Sequence, residues 1–277
     1  LSLHDALPIY QVNPKPSFMK KSLVLLLISS LVSGLYARQP RTVVEPPFAF
    51  RNSGTLEIKR IELAPESTTV YIQAYFRPHN WIRISSETYI RAGAEGEKLT
   101  VRSADGMPLD TEFYMPETGR HDFSLSFPPV DPKTAKIDLI ESDCPDCFKI
   151  YDIDLTGKKA KPGRSALAKK YKKTVPLTEN FTAPIVSDSP ARIAGTITGY
   201  DPRFFDRIEI AFYSPIVGDG ATELKVPVHA DGSFETGLNI LTPIRGMLFL
   251  PGFVTLPFYA EPGRETALEI DLGAVYR

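Results

Sequence analysis

The sequence predicts an all-β protein of two antiparallel β-sandwich domains of the immunoglobulin-like type, joined by a basic linker and preceded by a signal peptide. Three observations support this fold class. Short runs rich in β-branched and aromatic residues recur along two segments, turn-forming residues separate the runs, and no amphipathic helical pattern lies between them. The chain has 2 cysteines, too few for a disulfide-dense scaffold, so apolar cores must stabilise both domains.

The N-terminal part of the sequence predicts export. Residues 1–18 show no pattern of a structural element, and LSLHDALPI resembles a translated sequencing adapter, so we interpret them as an artefact or a disordered leader. Residues 19–37 have the order of a signal peptide, with lysines after Met19, an apolar run of about 14 residues and a cleavage site at Ala37. An uncleaved anchor remains the alternative, although the run is short for a membrane span. We expect the mature chain in the periplasm or the outer cell envelope.

Residues 46–156 are predicted to form the first β-sandwich. Leu56–Leu63 and Thr69–Phe76 alternate apolar and polar side chains, as strands with one buried and one solvated face do, and the alternation slips near Lys59-Arg60. Trp81, the only tryptophan, is a candidate for the central core position of an immunoglobulin-like sheet. The further predicted strands are Trp81–Ser85, Glu87–Ala92, Lys98–Arg102, Phe123–Phe127, Lys136–Ile140 and Phe148–Leu155.

Residues 157–190 are predicted to be a basic linker. Every charged residue in this segment before Glu179 is a lysine or an arginine, and prolines interrupt it repeatedly. Like charges at this density repel one another and keep a tether extended in solvent. A basic patch for anionic lipid or cell-wall polymer is the alternative.

Residues 191–277 are predicted to form a second β domain, which we expect to be truncated because its last strand ends close to Arg277. Asp231-Gly232 lies between two strand-like runs and predicts a tight hairpin, since both residue types tolerate a positive φ. The predicted strands are Arg192–Thr198, Arg207–Tyr213, Thr222–His229, Ser233–Glu235, Gly246–Leu250, Val254–Ala260 and Thr266–Leu272.

Charge and motif content argue against several function classes. Cleavage after Ala37 removes three of the 32 basic and one of the 33 acidic residues, which leaves a mildly negative chain without general affinity for nucleic acid. No G-x-S-x-G, H-E-x-x-H, P-loop or strand-linked G-x-G-x-x-G motif is present. His79, His121 and His229 lack ligand-like spacing. We therefore predict no catalytic residue, no cofactor and no metal site, while a glycosidase-type carboxylate pair stays open because such groups meet only in space.

The cysteines, Cys144 and Cys147, form a C-x-x-C motif, a spacing found in redox centres, zinc half-sites and stapled turns. Predicted strands flank the motif, and Pro145 and Asp146 suit the central positions of a type I turn. Such a turn brings its outer α-carbons within about 7 Å, near the range that a disulfide spans. Asp143 and Asp146 add negative charge, which disfavours a thiolate. We expect a structural disulfide in an oxidising compartment, with a redox role and a metal-ligand pair as the alternatives.

The first domain is also dense in aromatic residues, which have two interpretations. Aromatic side chains form recognition surfaces for sugars and proteins, and they also pack the cores of sandwiches. The residues concerned are Tyr71, Tyr75, Phe76, Trp81, Tyr89, Phe113 and Tyr114.

Several stretches together resemble the N-terminal β domains of exported, multidomain TlpA-type thiol–disulfide oxidoreductases. In the first domain these are the run from Pro46 to Ile58, Trp81-Ile-Arg-Ile84, Phe113-Tyr-Met-Pro-Glu117, ESDCPDCFKI and the run to Gly157. In the second they are Gly195-Thr-Ile-Thr-Gly199, Asp231-Gly-Ser-Phe234 and Glu261-Pro-Gly263, which resemble the small β domain that precedes the thioredoxin domain. The resemblance implies that the redox domain lies beyond Arg277, so no catalytic residue is transferred.

Two functional hypotheses follow from the sequence. The first is a non-catalytic envelope scaffold or client-contact region of a thiol–disulfide oxidoreductase, as the resemblance implies. The second is a stand-alone β-sandwich binding or adhesion module of the bacterial envelope. In both cases the expected partners are protein clients or envelope components, and no integral membrane span remains after signal cleavage.

Overall fold

The computed structural model describes residues 40–144, 147–157, 167, 170–171, 183–214 and 220–276. Residues 1–18, the predicted signal peptide with its cleavage site at Ala37, and most of the predicted linker lie outside the described residues. Within them, no helix is long and apolar enough to cross a membrane. The described chain is an all-β protein with several antiparallel sheets, as the sequence predicts.

The first domain is a sandwich of two five-stranded antiparallel sheets. Its strands are β1 Arg41–Val44, β2 Phe50–Arg51, β3 Leu56–Leu63, β4 Thr68–Tyr75, β5 Trp81–Ile82, β6 Tyr89–Arg91, β7 Leu99–Thr100, β8 Ser103–Asp105, β9 Phe113–Tyr114, β10 Arg120–Phe127, β11 Lys136–Ile140 and β12 Lys149–Asp154. One sheet has the order β1-β3-β4-β10-β8 and the other β2-β12-β11-β6-β7, while β5 and β9 form a separate pair among the described strands.

The core of this domain follows from the alternation along its strands. Val70 and Ile72 of β4 are buried, and Tyr71 between them is half-buried on the outer face. They pack in one cluster with Leu139 and Ile153 of the opposite sheet. The register of β3 shifts between Ile58 and Arg60, a bulge at the place where the sequence alternation slips.

The second domain packs a three-stranded sheet against a four-stranded one. Its elements are β13 Ala191–Thr198, β14 Arg207–Tyr213, β15 Ala221–Pro227, β16 Ser233–Leu238, β17 Ile244–Leu250, β18 Val254–Ala260, β19 Glu265–Asp271 and the short helix α1 Leu272–Val275. The orders are β16-β13-β19 and β15-β14-β17-β18, and β13 and β19 run parallel to each other.

At Asp231-Gly232 the predicted tight turn is present, but the predicted pairing of its two flanking strands in a hairpin is wrong. Gly232 has a φ of 82° and its N–H donates to the carbonyl of His229 (2.8 Å), so the tight turn is present. The strands on either side, β15 and β16, belong to different sheets. The turn carries the chain across the sandwich, because the buried faces of the two strands point into the core from opposite sides.

The two domains are joined by direct packing at a junction that we define by four rings: Phe50, Tyr151, Phe204 and Tyr276. Phe204 stacks on Phe50 with ring centroids 4.8 Å apart, and Tyr276 meets Phe50 edge-on at 4.9 Å. Residues of the first domain here belong to the same buried cluster as the second-domain core. Burial of rings from both domains in one cluster fixes the domains against each other.

Candidate functional site

The strongest candidate for a functional surface is the aromatic ribbon, which we define as the two-stranded sheet of β5 and β9. Trp81 lies opposite Tyr114, and Ile82 lies opposite Phe113. The N–H of Met115 donates to the carbonyl of Asn80 (2.9 Å). Because hydrogen-bonded and non-hydrogen-bonded pairs alternate along an antiparallel ribbon, the adjacent residues Trp81 and Tyr114 form a non-hydrogen-bonded pair. Side chains approach each other more closely at such pairs. The backbone therefore places the two side chains on the same face of the ribbon.

The ribbon is anchored by one face and exposes the other. Ile82 and Met115 are buried in the first-domain core, and the Phe113 ring lies 4.1 Å from the His121 ring of β10. By contrast, Trp81 is 49% exposed and Tyr114 is 60% exposed. The alternating buried and exposed positions hold the outward rings on a rigid support.

The prediction that Trp81 is the central core tryptophan of the sheet is therefore wrong. It lies on the short strand β5, outside the two five-stranded sheets, and about half of its surface meets solvent. The largest fully buried side chains of this core include Phe127, Ile61 and Leu125 instead. These residues fill the core without Trp81, whose side chain lies at the surface.

Charged and polar side chains frame the exposed rings. The Tyr114 hydroxyl donates to Glu112 Oε2 (2.9 Å), and this hydrogen bond raises the pKa of Tyr114. His79, at a φ of 62°, lies 3.1 Å from Glu117 Oε1. Asp110 accepts a hydrogen bond from the backbone N–H of Ser86 (2.9 Å), and hydrogen bonds from Ser86 lower its pKa.

The other aromatic residues of the first domain have structural positions. Tyr71 and Tyr75 lie on the outer face of β4 beneath cationic side chains, with the Arg60 guanidinium 3.6 Å from the Tyr71 centroid. Tyr89 is buried, and burial raises its pKa to about 12. Phe76 is 41% exposed at the end of β4, where its N–H donates to the carbonyl of Gly119.

Cys144 and Cys147 lie at disulfide distance in a connection between β11 and β12. Their sulfur atoms are 2.01 Å apart and their α-carbons 5.3 Å apart. Asn52 ties this connection to the body of the domain: its side chain donates to the carbonyl of Cys147 (2.8 Å). Strands flank the motif on both sides, whereas an activated thiolate requires the start of a helix or a cationic neighbourhood. Cys144 itself is exposed.

The charge beside the cysteines is balanced locally. Asp143 Oδ2 lies 2.7 Å from Lys98 Nζ, and its other oxygen accepts from the Tyr89 hydroxyl (3.0 Å). These partners lower the pKa of Asp143, with Lys98 the larger cause. Glu141 accepts from the N–H of Phe148 (3.2 Å), and burial raises its pKa.

A second charged cluster lies at the domain junction. Arg203, on the β13–β14 connection, lies 3.3 Å from Asp138 Oδ2 and 3.2 Å from Asp152 Oδ1 of the first domain. It is held in place by Asp201, 2.9 Å away, and Arg91 reaches Asp138 from the other side at 3.2 Å. Because Asp138 is buried and its charge is matched, the cluster joins the domains and presents no free acid or base.

The described residues contain no group of three or more histidine, cysteine, aspartate or glutamate side chains that could hold a metal ion. His79 and His121 both lie near the ribbon, but His121 bonds to the carbonyl of Gly106 (2.7 Å). His229 lies on the connection between β15 and β16. The three histidines are thus not brought together.

Sequence reasoning missed two features of these sites. The first is the pairing of Trp81 with Tyr114, and the second is the insertion of Arg203 between two acids of the other domain. The sequence does carry a signal for the second feature, because three aromatic residues and an arginine lie between two predicted strands, in Tyr200-Asp-Pro-Arg-Phe-Phe-Asp206.

Comparisons with known proteins add weak structural likenesses only. No family model and no curated protein matches the chain. Among solved structures, it is similar to type I pullulanase from Bacillus subtilis with maltose (TM-score 0.25, 6% identity, 69% of this chain and 23% of that one). It is also similar to pullulanase from Bacillus acidopullulyticus (0.21, 10%, 69% and 33%) and to the Bacillus anthracis TIE protein (0.20, 8%, 91% and 44%). The chain spans less than half the length of each, and scores this low assign no function.

Proposed function

We propose that this chain is a non-catalytic binding module of the bacterial cell envelope, which contacts its partner through the aromatic ribbon. The observation that carries this proposal is the exposed pair of Trp81 and Tyr114 on a rigid two-stranded support. Tryptophan, tyrosine and arginine dominate the energetic centres of protein interfaces. Arg83, also exposed and two residues from Trp81 along the chain, belongs to the same surface.

The exposure of two large aromatic side chains supports a binding role. Large apolar side chains that stay in water forgo the favourable free energy of burial. The same side chains would stabilise the first domain if they pointed inward, yet the inward positions of the ribbon belong to Ile82 and Met115. A partner that covers both rings recovers that free energy.

The location in the envelope is supported by two features. The signal-peptide-like order of residues 19–37 predicts export, and a disulfide such as that of Cys144 and Cys147 is typical of an oxidising compartment. Within this proposal, the resemblance to TlpA-type oxidoreductases favours a scaffold or client-contact role beside a redox domain. The stand-alone binding module is the alternative.

Site-specific photocrosslinking tests the proposal. A photoreactive phenylalanine replaces Trp81 or Tyr114 in the bacterium that encodes the protein, and Phe253, which is 95% exposed in the second domain, serves as the control position. We expect a discrete adduct from the ribbon positions and none from the control. Equal labelling at all three positions, or none at the ribbon, refutes binding through this surface.

Two further observations separate the candidates. A strand–C-x-x-C–helix pattern encoded downstream of Arg277 favours the oxidoreductase scaffold, and a stop codon or further β repeats favour the stand-alone module. Insulin reduction by the purified chain tests the non-catalytic claim, because strands flank Cys144 and Cys147, whereas the start of a helix is a typical setting for an activated thiolate. Turnover in that assay would overturn it.

A further inference from the structure

We propose that the disulfide of Cys144 and Cys147 is a site of thiol–disulfide exchange, which accepts electrons from an external dithiol that attacks Cys144 Sγ. This proposal is independent of the aromatic ribbon. Four observations carry it: the two cysteines differ in exposure, a hydroxyl group lies beside the less exposed sulfur, the nearest negative charge is paired, and the surrounding backbone is held by contacts other than the disulfide.

The first observation is the difference in exposure. Cys144 is exposed, whereas Cys147 is half-buried. An external thiolate attacks the sulfur atom that it can reach, and the other sulfur then leaves as a thiolate. Access therefore favours attack at Cys144, with Cys147 as the leaving group. The attacking thiolate belongs to the partner, so this role needs no activated thiolate on the chain itself.

The second observation is a donor beside the leaving sulfur. The Ser142 hydroxyl lies 3.4 Å from Cys147 Sγ, and it is the donor in this contact because a disulfide sulfur carries no proton. Its oxygen accepts from the N–H of Cys144 (3.4 Å), which leaves its proton for Cys147. As the bond breaks, negative charge develops on Cys147 Sγ, and this hydrogen bond stabilises it. A stabilised thiolate leaves faster.

The third observation concerns the charge that an approaching thiolate meets. Asp143 precedes Cys144, but one of its oxygens lies 2.7 Å from Lys98 Nζ and the other accepts from the Tyr89 hydroxyl (3.0 Å). The ammonium group of Lys98 thus offsets a negative charge that would otherwise repel the partner's thiolate. This contact favours access to Cys144 at low ionic strength.

The fourth observation is that the strands beside the disulfide are held without it. The pairing of β11 with β12 extends to Glu141, whose N–H donates to the carbonyl of Phe148 (3.0 Å). The Asn52 side chain donates to the carbonyl of Cys147 (2.8 Å) and accepts from the N–H of Lys149 (2.7 Å). The bond spans a separation of 3 residues, which limits its effect on stability. Since exposed disulfides are the more easily reduced ones, this bond can open and close on a folded domain.

The exchange proceeds in two balanced steps. The partner's first thiolate attacks Cys144 Sγ and forms a mixed disulfide, while the bond to Cys147 breaks and Cys147 leaves as a thiolate that takes up a proton. The partner's second thiol then loses its proton and attacks the partner's own sulfur in the mixed disulfide, which releases Cys144 as a thiolate that is protonated in turn. The partner dithiol becomes a disulfide, and its two electrons and two protons pass to the cysteine pair of the chain.

Reaction with glutathione tests the site of attack. The oxidised chain is mixed with excess reduced glutathione and quenched early with N-ethylmaleimide, and tandem mass spectrometry locates both groups. We expect glutathione on Cys144 and N-ethylmaleimide on Cys147. The reverse pattern, an equal division between the two cysteines, or a pair that stays oxidised overturns the proposal.

Reduction by dithiothreitol tests the surroundings of the pair. Ser142→Ala should slow reduction about five- to tenfold, and Lys98→Gln should slow it about threefold at low salt only. The matched control is Lys59→Gln, which removes a similar exposed ion pair with Glu57 and should leave the rate unchanged. Fluorescence of Trp81, the only tryptophan, should stay constant because the domain stays folded. Equal rates in all variants, or reduction only together with unfolding, would contradict an exchange site.

Discussion

Removal of Arg203 is the sharpest test of how the two domains are held together. The Arg203→Ala substitution deletes the contacts to Asp138 and Asp152 across the junction and leaves Asp201 without its guanidinium. It also removes the cation over the Tyr151 ring, 5.6 Å from the centroid. The backbone and the stacked rings of the junction stay in place, so the change isolates the charged contacts.

The magnitude follows from burial. Breaking one partner of a fully buried ion pair costs about 3–5 kcal/mol. Here Asp138 is buried, but Arg203 is 24% exposed in its side chain and Arg91 remains at 3.2 Å from Asp138. With this discount we expect a loss of about 2–3 kcal/mol, which for a chain of this size lowers the Tm by roughly 4–12 °C.

Calorimetry measures this loss, with Arg207→Ala as the control. Arg207 is the first residue of β14 and pairs with Asp206, but both side chains are mostly exposed, so its removal should leave the Tm unchanged. Arg203→Lys should fall between the wild type and Arg203→Ala, because lysine keeps the charge but cannot span several carboxylates. If Arg203→Ala unfolds at the same temperature as Arg207→Ala, the junction is not held by this cluster.

Three further predictions concern other parts of the fold. In Gly195→Ala the new β-carbon would lie 2.3 Å from the buried Phe234 ring, so we expect urea denaturation to show a loss of about 1–3 kcal/mol; an unchanged midpoint would contradict the packing. Burial raises the pKa of Glu141, so its folded state favours the protonated form and stability falls as pH rises from the ordinary value of 4.5 through the raised pKa. Glu141→Gln should therefore gain stability relative to wild type across that window, and parallel pH curves would refute this. Replacement of both Cys144 and Cys147 by serine opens only a very short loop, so we expect a loss of no more than about 2 kcal/mol; a much larger loss would show that the bond also organises its surroundings.

The sequence predicts most strands because their information is local. Alternation in β3 and β4, and turn residues between them, predict the strands, and the slip in the alternation near Arg60 coincides with the register shift in β3. The strand β1, Arg41–Val44, was not predicted because its four residues carry no full alternating pattern. The parallel pairing of β13 with β19 could not be predicted, since it joins residues far apart in sequence and depends on which faces the rest of the fold leaves open.

The exposure of Trp81 was within reach of the sequence. In Trp81-Ile82-Arg83-Ile84-Ser85, the tryptophan shares its face with Arg83 and Ser85, while the two isoleucines share the other. The isoleucines are buried in the structure and Trp81 and Arg83 are exposed. Strict alternation therefore predicts that Trp81 faces solvent. The prediction of a core position relied instead on the analogy with immunoglobulin-like sheets and was wrong for that reason.

The partners of Trp81 and Arg203 were beyond local pattern, for one common reason. Tyr114 reaches Trp81 only because β5 and β9 pair outside the main sheets, and Arg203 contacts Asp138 across a sequence separation of 65 residues. Cys144 and Cys147, by contrast, lie at disulfide distance over a separation of 3 residues, whereas the turn predicted at Pro145 and Asp146 lies outside the described residues. Short-range chemistry can therefore be inferred from residues alone, whereas a recognition surface assembled by topology needs the fold. For this chain the proposed recognition surface is the ribbon, and crosslinking at Trp81 and Tyr114 tests that proposal directly.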